Sequence, residues 1–99
     1  MKILIQSNQQ EYQLNDDVVV IGREYNCDIR INEPAVSRVH ALICREKGKL
    51  VIEDLGGKSG TFVNQVAIGR RILTNGDLIQ IGRTALVFCN NRNDLPCHL

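Results

Sequence analysis

The sequence predicts an all-β protein, a two-sheet β-sandwich of eleven short strands with no significant helix. Three observations carry that expectation. Apolar residues alternate with period two in short bursts, the signature of strands with one buried face. Turn-forming residues separate the bursts at close, regular intervals. No long window holds a clean 3.6-residue apolar stripe, and Gly69 interrupts the only tempting stretch, Val66–Leu73.

The elements follow in order. Ile3 and Ile5 mark a strand near 2–6, and the polar run Gln6–Gln13 leads into a second near 11–14. A third lies near 17–21 and a fourth near 28–31, after which Asn32–Pro34 opens a loop. Val39, Ala41 and Ile43 mark a fifth near 39–45, and Leu50 and Ile52 a sixth near 49–54. Lys47-Gly48 is expected to join these two as a tight hairpin, with Gly supplying the positive φ. Gly56-Gly57 and Gly60 bracket a longer loop, followed by short strands near 61–63, 66–68 and 70–73. Asn75-Gly76 is the strongest hairpin signal in the chain, since both positions tolerate the left-handed region. Ile79/Ile81 and Leu86/Phe88 complete the set, near 78–81 and 84–88. Residues 1–89 are read as one domain, and the polar Asn90–Leu99, which carries Pro96, as a loose tail.

Composition narrows the function classes. The 99 residues suffice for one domain and are too few for two. Twelve Lys and Arg against 11 Asp and Glu leave a formal charge of +1, no whole-molecule field for nucleic acid or a membrane surface. Aromatics are 4% of the chain with no Trp, too few for a base-stacking platform. The longest apolar run, Ala85–Cys89, is far short of the ~20 residues of a membrane helix. The first residues lack an apolar signal region, so a cytoplasmic location is expected. Cysteines 27, 44, 89 and 97 form no C-x-x-C pair, so neither a metal site nor a cofactor is expected, and Cys97-His98 would need distant partners. Reduced thiols are the favoured reading, with two disulfides in a secreted domain as the alternative.

Three loops concentrate polar residues: Gly22-Arg23-Glu24, Pro34–His40 and Asp54–Thr61. Together they offer two guanidinium groups, two hydroxyls, one ammonium and several backbone N–H groups, a donor set suited to phosphate. On spacing alone, Arg23 and Arg38 are equally well explained as solvated surface charges. Gly57-Lys58-Ser59 is not a nucleotide-binding P-loop. The first position of that pattern falls on Ile52 inside a strand, and the β-rich Thr61-Phe62-Val63 follows where a helix is required. No nucleophile elbow or paired carboxylate is visible either; Glu53 and Asp54 are strand neighbours pointing to opposite faces. The chain is not expected to be an enzyme.

Five motifs in register carry a family resemblance: Gly22-Arg23; Ser37-x-x-His40-Ala41; Asp54-Leu55-Gly56; Gly60-Thr61-Phe62-Val63-Asn64; and Leu73 with Gly76-Asp77-x-Ile79-x-Ile81-Gly82. The chain resembles the forkhead-associated (FHA) domain over roughly residues 3–88. The resemblance implies an eleven-stranded FHA/SMAD-like sandwich whose loops at one end bind phosphothreonine segments of proteins modified by Ser/Thr kinases. By that resemblance Arg23 pairs with phosphate oxygens, Ser37 donates its hydroxyl, and Arg38 adds its backbone N–H, with or without its side chain. Lys58 and Ser59 face the peptide, while Gly22, His40, Gly60 and Asn64 support the site. His40 is then a scaffold residue rather than a base for Ser37. This chain departs from the family where Ser59 replaces an Asn that grips the peptide main chain, and where Gln65 replaces the Gly of an Asn-Gly turn. A hydroxyl reaches less far than a carboxamide and offers one donor instead of two. A phospho-independent scaffold built on the same fold is therefore the competing expectation. Oligomeric state is left open.

Overall fold

A computed structural model describes residues 1–90, and these form eleven strands. They are β1 (Lys2–Ile5), β2 (Gln10–Gln13), β3 (Val18–Gly22), β4 (Ile29–Arg30), β5 (Ala41–Glu46), β6 (Lys49–Asp54), β7 (Thr61–Val63), β8 (Val66–Ala67), β9 (Arg70–Ile72), β10 (Leu78–Ile81) and β11 (Thr84–Cys89). The six-stranded sheet runs β2-β1-β11-β10-β7-β8 and the five-stranded sheet β4-β3-β5-β6-β9. Neighbouring strands pair antiparallel except β3 with β4, whose parallel register sets Ile21 beside Ile29.

Alternation decides which face each strand buries. Ile3, Ile79, Ile81, Leu86 and Phe88 from one sheet meet Val19, Ile21, Ala41, Ile43, Leu50 and Ile52 from the other, all essentially inaccessible to solvent. Each such aliphatic side chain contributes about 1.5–3 kcal/mol by leaving water. The period-two reading therefore fits the strands closely, with bounds shifted by one or two residues. The largest shift is at β5, which starts at Ala41; Val39 stays outside it and is 47% exposed.

Lys47-Gly48 does join β5 to β6 as a tight hairpin, with both residues at positive φ (50° and 79°). Asn75-Gly76 does not make a hairpin. Gly76 takes the expected positive φ of 88°, but β9 pairs with β6 in one sheet and β10 with β7 and β11 in the other. The turn is a crossover between sheets. Turn chemistry sets local dihedrals; the strands' partners are chosen by burial across the whole sandwich.

Cys27, Cys44 and Cys89 are free thiols, so the disulfide alternative has no support among them. Asn90 follows β11, its backbone N–H donating to Asn75 Oδ1 at 2.8 Å. The rest of the expected tail, with Pro96 and Cys97-His98, lies outside the described residues. Among the described residues, no helix is long and apolar enough to cross a membrane, and no group of three or more His, Cys, Asp or Glu could hold a metal ion.

Candidate functional site

The strand directions bring three polar loops to one end of the sandwich. β3 delivers Gly22 and Arg23 there, the loop between β4 and β5 supplies 31–40, and the loop between β6 and β7 supplies 55–60. Two backbone bonds, Arg23 N–H to Ser37 O and Glu24 N–H to Arg38 O (both 3.0 Å), prolong the β3–β5 ladder into these loops. Gly22 makes that approach feasible, since a Cβ there would lie 2.2 Å from the Arg38 carbonyl oxygen. Cys27 Sγ donates to the same oxygen at 3.3 Å, and burial, the largest influence, pushes its thiol pKa up and so keeps it a donor.

His40 is the post on which the loops are mounted. It is completely buried. Its Nδ1 accepts from the Ser37 backbone N–H at 3.1 Å, which assigns the ring proton to Nε2. Nε2–H then donates to Gly60 O at 2.8 Å, while the His40 backbone bonds Ile21 and Leu55. The imidazole thus ties the two loops together, and the backbone of the same residue ties them to β3. Gly57 packs against it so closely that a Cβ would sit 2.3 Å from Nε2. Gly60, with φ 82°, closes the loop.

Around this post lie four of the residues singled out from the sequence, Arg23, Ser37, Arg38 and Lys58. Arg23, Pro34, Ala35, Val36, Ser37, Arg38, Val39 and Lys58 line one open recess of about 430 Å³. Arg23 spends its Nε–H on Val36 O at 2.9 Å, which fixes the plane of the guanidinium and leaves four other N–H donors without an acceptor among the described residues. Ser37 Oγ accepts the Lys58 backbone N–H at 2.9 Å, so the hydroxyl proton remains to be donated. The Arg38 backbone N–H has no protein acceptor among the described residues. No acidic residue lines the recess. Among the described residues the close ion pairs are Lys2–Glu11, Arg45–Asp17, Arg70–Glu46, Arg70–Glu53 and Arg71–Asp77, and Arg23, Arg38 and Lys58 take part in none of them. Preset donors around an open, cationic recess are what an oxyanion with several acceptor atoms requires.

Ser59 sits differently. Its hydroxyl donates to Ala35 O at 2.7 Å, so its single donor braces one loop against the other. Asn64 does not join the recess. It lies at the far end of β7 from Gly60, where Nδ2 donates to Asp77 Oδ1 at 2.9 Å and Oδ1 accepts the Leu78 N–H at 3.0 Å. Its support goes to the β7–β8 turn, where Asn64 and Gln65 both take positive φ (51° and 72°).

Two supports of the site escaped sequence reasoning. Glu33 accepts from the Arg83 N–H at 2.9 Å and from the Thr84 hydroxyl, clamping the recess loop to the β10–β11 turn. The Thr84 hydroxyl first, and then the Arg83 amide, hold the Glu33 carboxyl below its ordinary pKa. Asp54 accepts from the Thr61 hydroxyl at 2.7 Å and the Gly56 N–H at 3.1 Å, fixing both ends of the second loop. The only signal for the second was the loop's own Asp and Thr; for the first, some fifty residues apart, there was none.

The model of the family described as FHA domain matches residues 19–82. The oxoglutarate dehydrogenase inhibitor of Corynebacterium jeikeium is 35% identical over 83 residues, 84% of this chain and 58% of that protein. The glycogen accumulation regulator GarA of Mycolicibacterium smegmatis is 36% identical over 77 residues, 78% of this chain and 49% of that protein. The chain thus spans about half the length of these curated relatives. Among solved structures, Mycobacterium tuberculosis EmbR in complex with a low-affinity phosphopeptide superposes with a TM-score of 0.86 at 29% identity, covering 89% of this chain and 24% of that one. An FHA domain solved in a study of phosphothreonine-dependent FHA domain interactions gives 0.82 at 26% identity, covering 87% of this chain and 91% of that one.

Proposed function

Because the chain belongs to the FHA domain family, we propose that it is a non-catalytic reader of phosphothreonine in partner proteins, with residues 1–89 as the reading unit. The observation that carries this reading is the recess in which Arg23, Ser37 and Arg38 present unused donors to one point of access, on a scaffold fixed by His40. In it the Arg23 Nη groups pair with phosphate oxygens, the Ser37 hydroxyl donates to a second oxygen, and the Arg38 N–H to a third. Lys58 and Ser59 are assigned to the peptide main chain in this reading.

Magnitudes support a reversible interaction. A charge-assisted hydrogen bond nets about 1.5–3 kcal/mol. Three or four of them, less the entropy of fixing a flexible segment, leave roughly 6–8 kcal/mol, a micromolar-range affinity. Selection of threonine over serine rests on one methyl group, worth about 1–3 kcal/mol in a fitted pocket.

The second reading, a phospho-independent scaffold on the same fold, draws on the Ser59 hydroxyl being turned inward to Ala35. Fluorescence anisotropy separates the two. A degenerate phosphothreonine peptide library is titrated with the wild-type chain and with Arg23→Ala, before and after phosphatase treatment. Saturable binding lost on dephosphorylation and in the variant is expected. Binding that persists through both supports the scaffold.

A further inference from the structure

The recess carries more positive charge than one phosphate uses. Phosphothreonine brings about −1.5 to −2 charges at neutral pH. Arg23, Arg38 and Lys58 bring three positive charges; among the described residues none of the three is in a close ion pair and no acidic side chain lines the recess to offset them. The Arg23 guanidinium is held in place by its bond to Val36 O, and the Arg38 contribution to the phosphate is its backbone N–H. Lys58 is placed otherwise. Its backbone N–H is fixed 2.9 Å from Ser37 Oγ, so its Cα is anchored beside the phosphate position. Its ammonium, on a flexible four-carbon stem, sweeps the adjoining rim as a compact point charge.

We infer that Lys58 makes this site selective for segments in which the phosphothreonine is accompanied by a second anionic group. The inference rests on the phosphothreonine reading above and adds the class of segment the site prefers. The shared chemistry is a negative charge within reach of Lys58, supplied by a flanking carboxylate or a second phosphorylated residue. Like-charged flanks, Lys or Arg, are disfavoured by the same geometry.

The test uses the full chain and one parent peptide containing a phosphothreonine with uncharged flanks. Asp is placed at successive positions on either side, and a further set carries a second phosphothreonine instead. The readout is the ratio of affinities, second-anion peptide over parent, in wild type, Lys58→Ala and Lys58→Glu at two salt concentrations. A ratio of about two to five is expected in wild type at low salt, the range of a rim ion pair, shrinking as salt rises. Lys58→Ala should bring the ratio to about one whatever its absolute affinities, and Lys58→Glu should invert it. The Asp set and the doubly phosphorylated set show which source gives the larger gain. A wild-type ratio of one at every position, or a ratio unmoved by Lys58→Glu, overturns the inference. Failure of the parent peptide to bind wild type defeats the phosphothreonine reading itself and is recognised separately.

Discussion

Where β9 crosses to β10, polar side chains satisfy one another. Asp77, only 5% exposed, accepts from the Thr74 N–H at 2.8 Å, the Thr74 hydroxyl at 3.2 Å and Asn64 Nδ2 at 2.9 Å, with Arg71 at 3.9 Å. At the opposite end, Arg23, Ser37 and Arg38 keep donors that no described residue uses, and the groups that are satisfied there, His40, Glu33, Asp54 and Ser59, hold the loops that carry them. Both ends contain a buried polar hub, Asp77 in one and His40 in the other. The difference lies in what the hub presents outward. One network is closed and serves stability; the other is a rigid frame around unused donors, the face to which the proposed function assigns recognition. Leaving such donors exposed is cheap, because water satisfies them until a ligand displaces it.

Substitutions at the two ends should therefore separate binding from stability. The largest effect expected is on binding. Arg23→Ala removes two or more charge-assisted bonds and should weaken a phosphothreonine peptide by about a hundredfold or more, read by anisotropy. The same variant should lower unfolding free energy by less than about 1 kcal/mol, since Arg23 is exposed and loses only its bond to Val36 O. Asp77→Ala should do the reverse. It strands the Thr74 N–H and Asn64 Nδ2, should cost about 2–3 kcal/mol in denaturant melts, and should leave peptide affinity unchanged. His40→Ala tests whether the frame matters to both: a loss of about 1–3 kcal/mol in stability is expected, with weaker binding because Ser37 and Gly60 lose their anchor.

How much of this division could be read from sequence differs between the ends. The strands were legible because period-two alternation reports burial directly, as Ile79/Ile81 and Leu86/Phe88 show. The donors at the recess were legible as residue types, and the roles proposed for them come from the FHA-like spacing of Arg23, Ser37 and His40. The closed end was not. Asn75-Gly76 looks like a hairpin from its dihedral preferences, yet the strands it links belong to different sheets. Nor could sequence show that Ser59 spends its hydroxyl on Ala35, 24 residues away, or that Glu33 clamps Thr84. Such bonds depend on which loops the folded sheets bring together, and a short motif carries no record of that.

Two smaller effects sharpen the contrast. Ser59→Asn restores the carboxamide usual in the family and should tighten a phosphothreonine peptide by about fivefold, worth ~1 kcal/mol. No gain would mean that the bond to Ala35 contributes more than the added donor. Acid should act on the closed end. Burial pushes the Asp77 carboxyl pKa up, but the Thr74 amide, Asn64, the Thr74 hydroxyl and Arg71 outweigh it, and the net shift is downward. A depressed carboxylate contributes stability at pH values above its unfolded pKa of about 3.9, and that contribution is lost as pH falls through the folded value. Unfolding free energy should thus drop more steeply below about pH 4 in wild type than in Asp77→Asn.

The most direct measurement is a ¹H–¹⁵N NMR titration of the full chain with a phosphothreonine peptide and with its unphosphorylated twin. The phosphorylated peptide should move the backbone amides of Ser37, Arg38 and Lys58 in a saturable way, and leave those of Asn64, Thr74 and Leu78 in place. The twin should move neither set. Equal shifts with both peptides, or shifts centred on the Asp77 end, would contradict the assignment of the Arg23 recess as a phosphate-reading site.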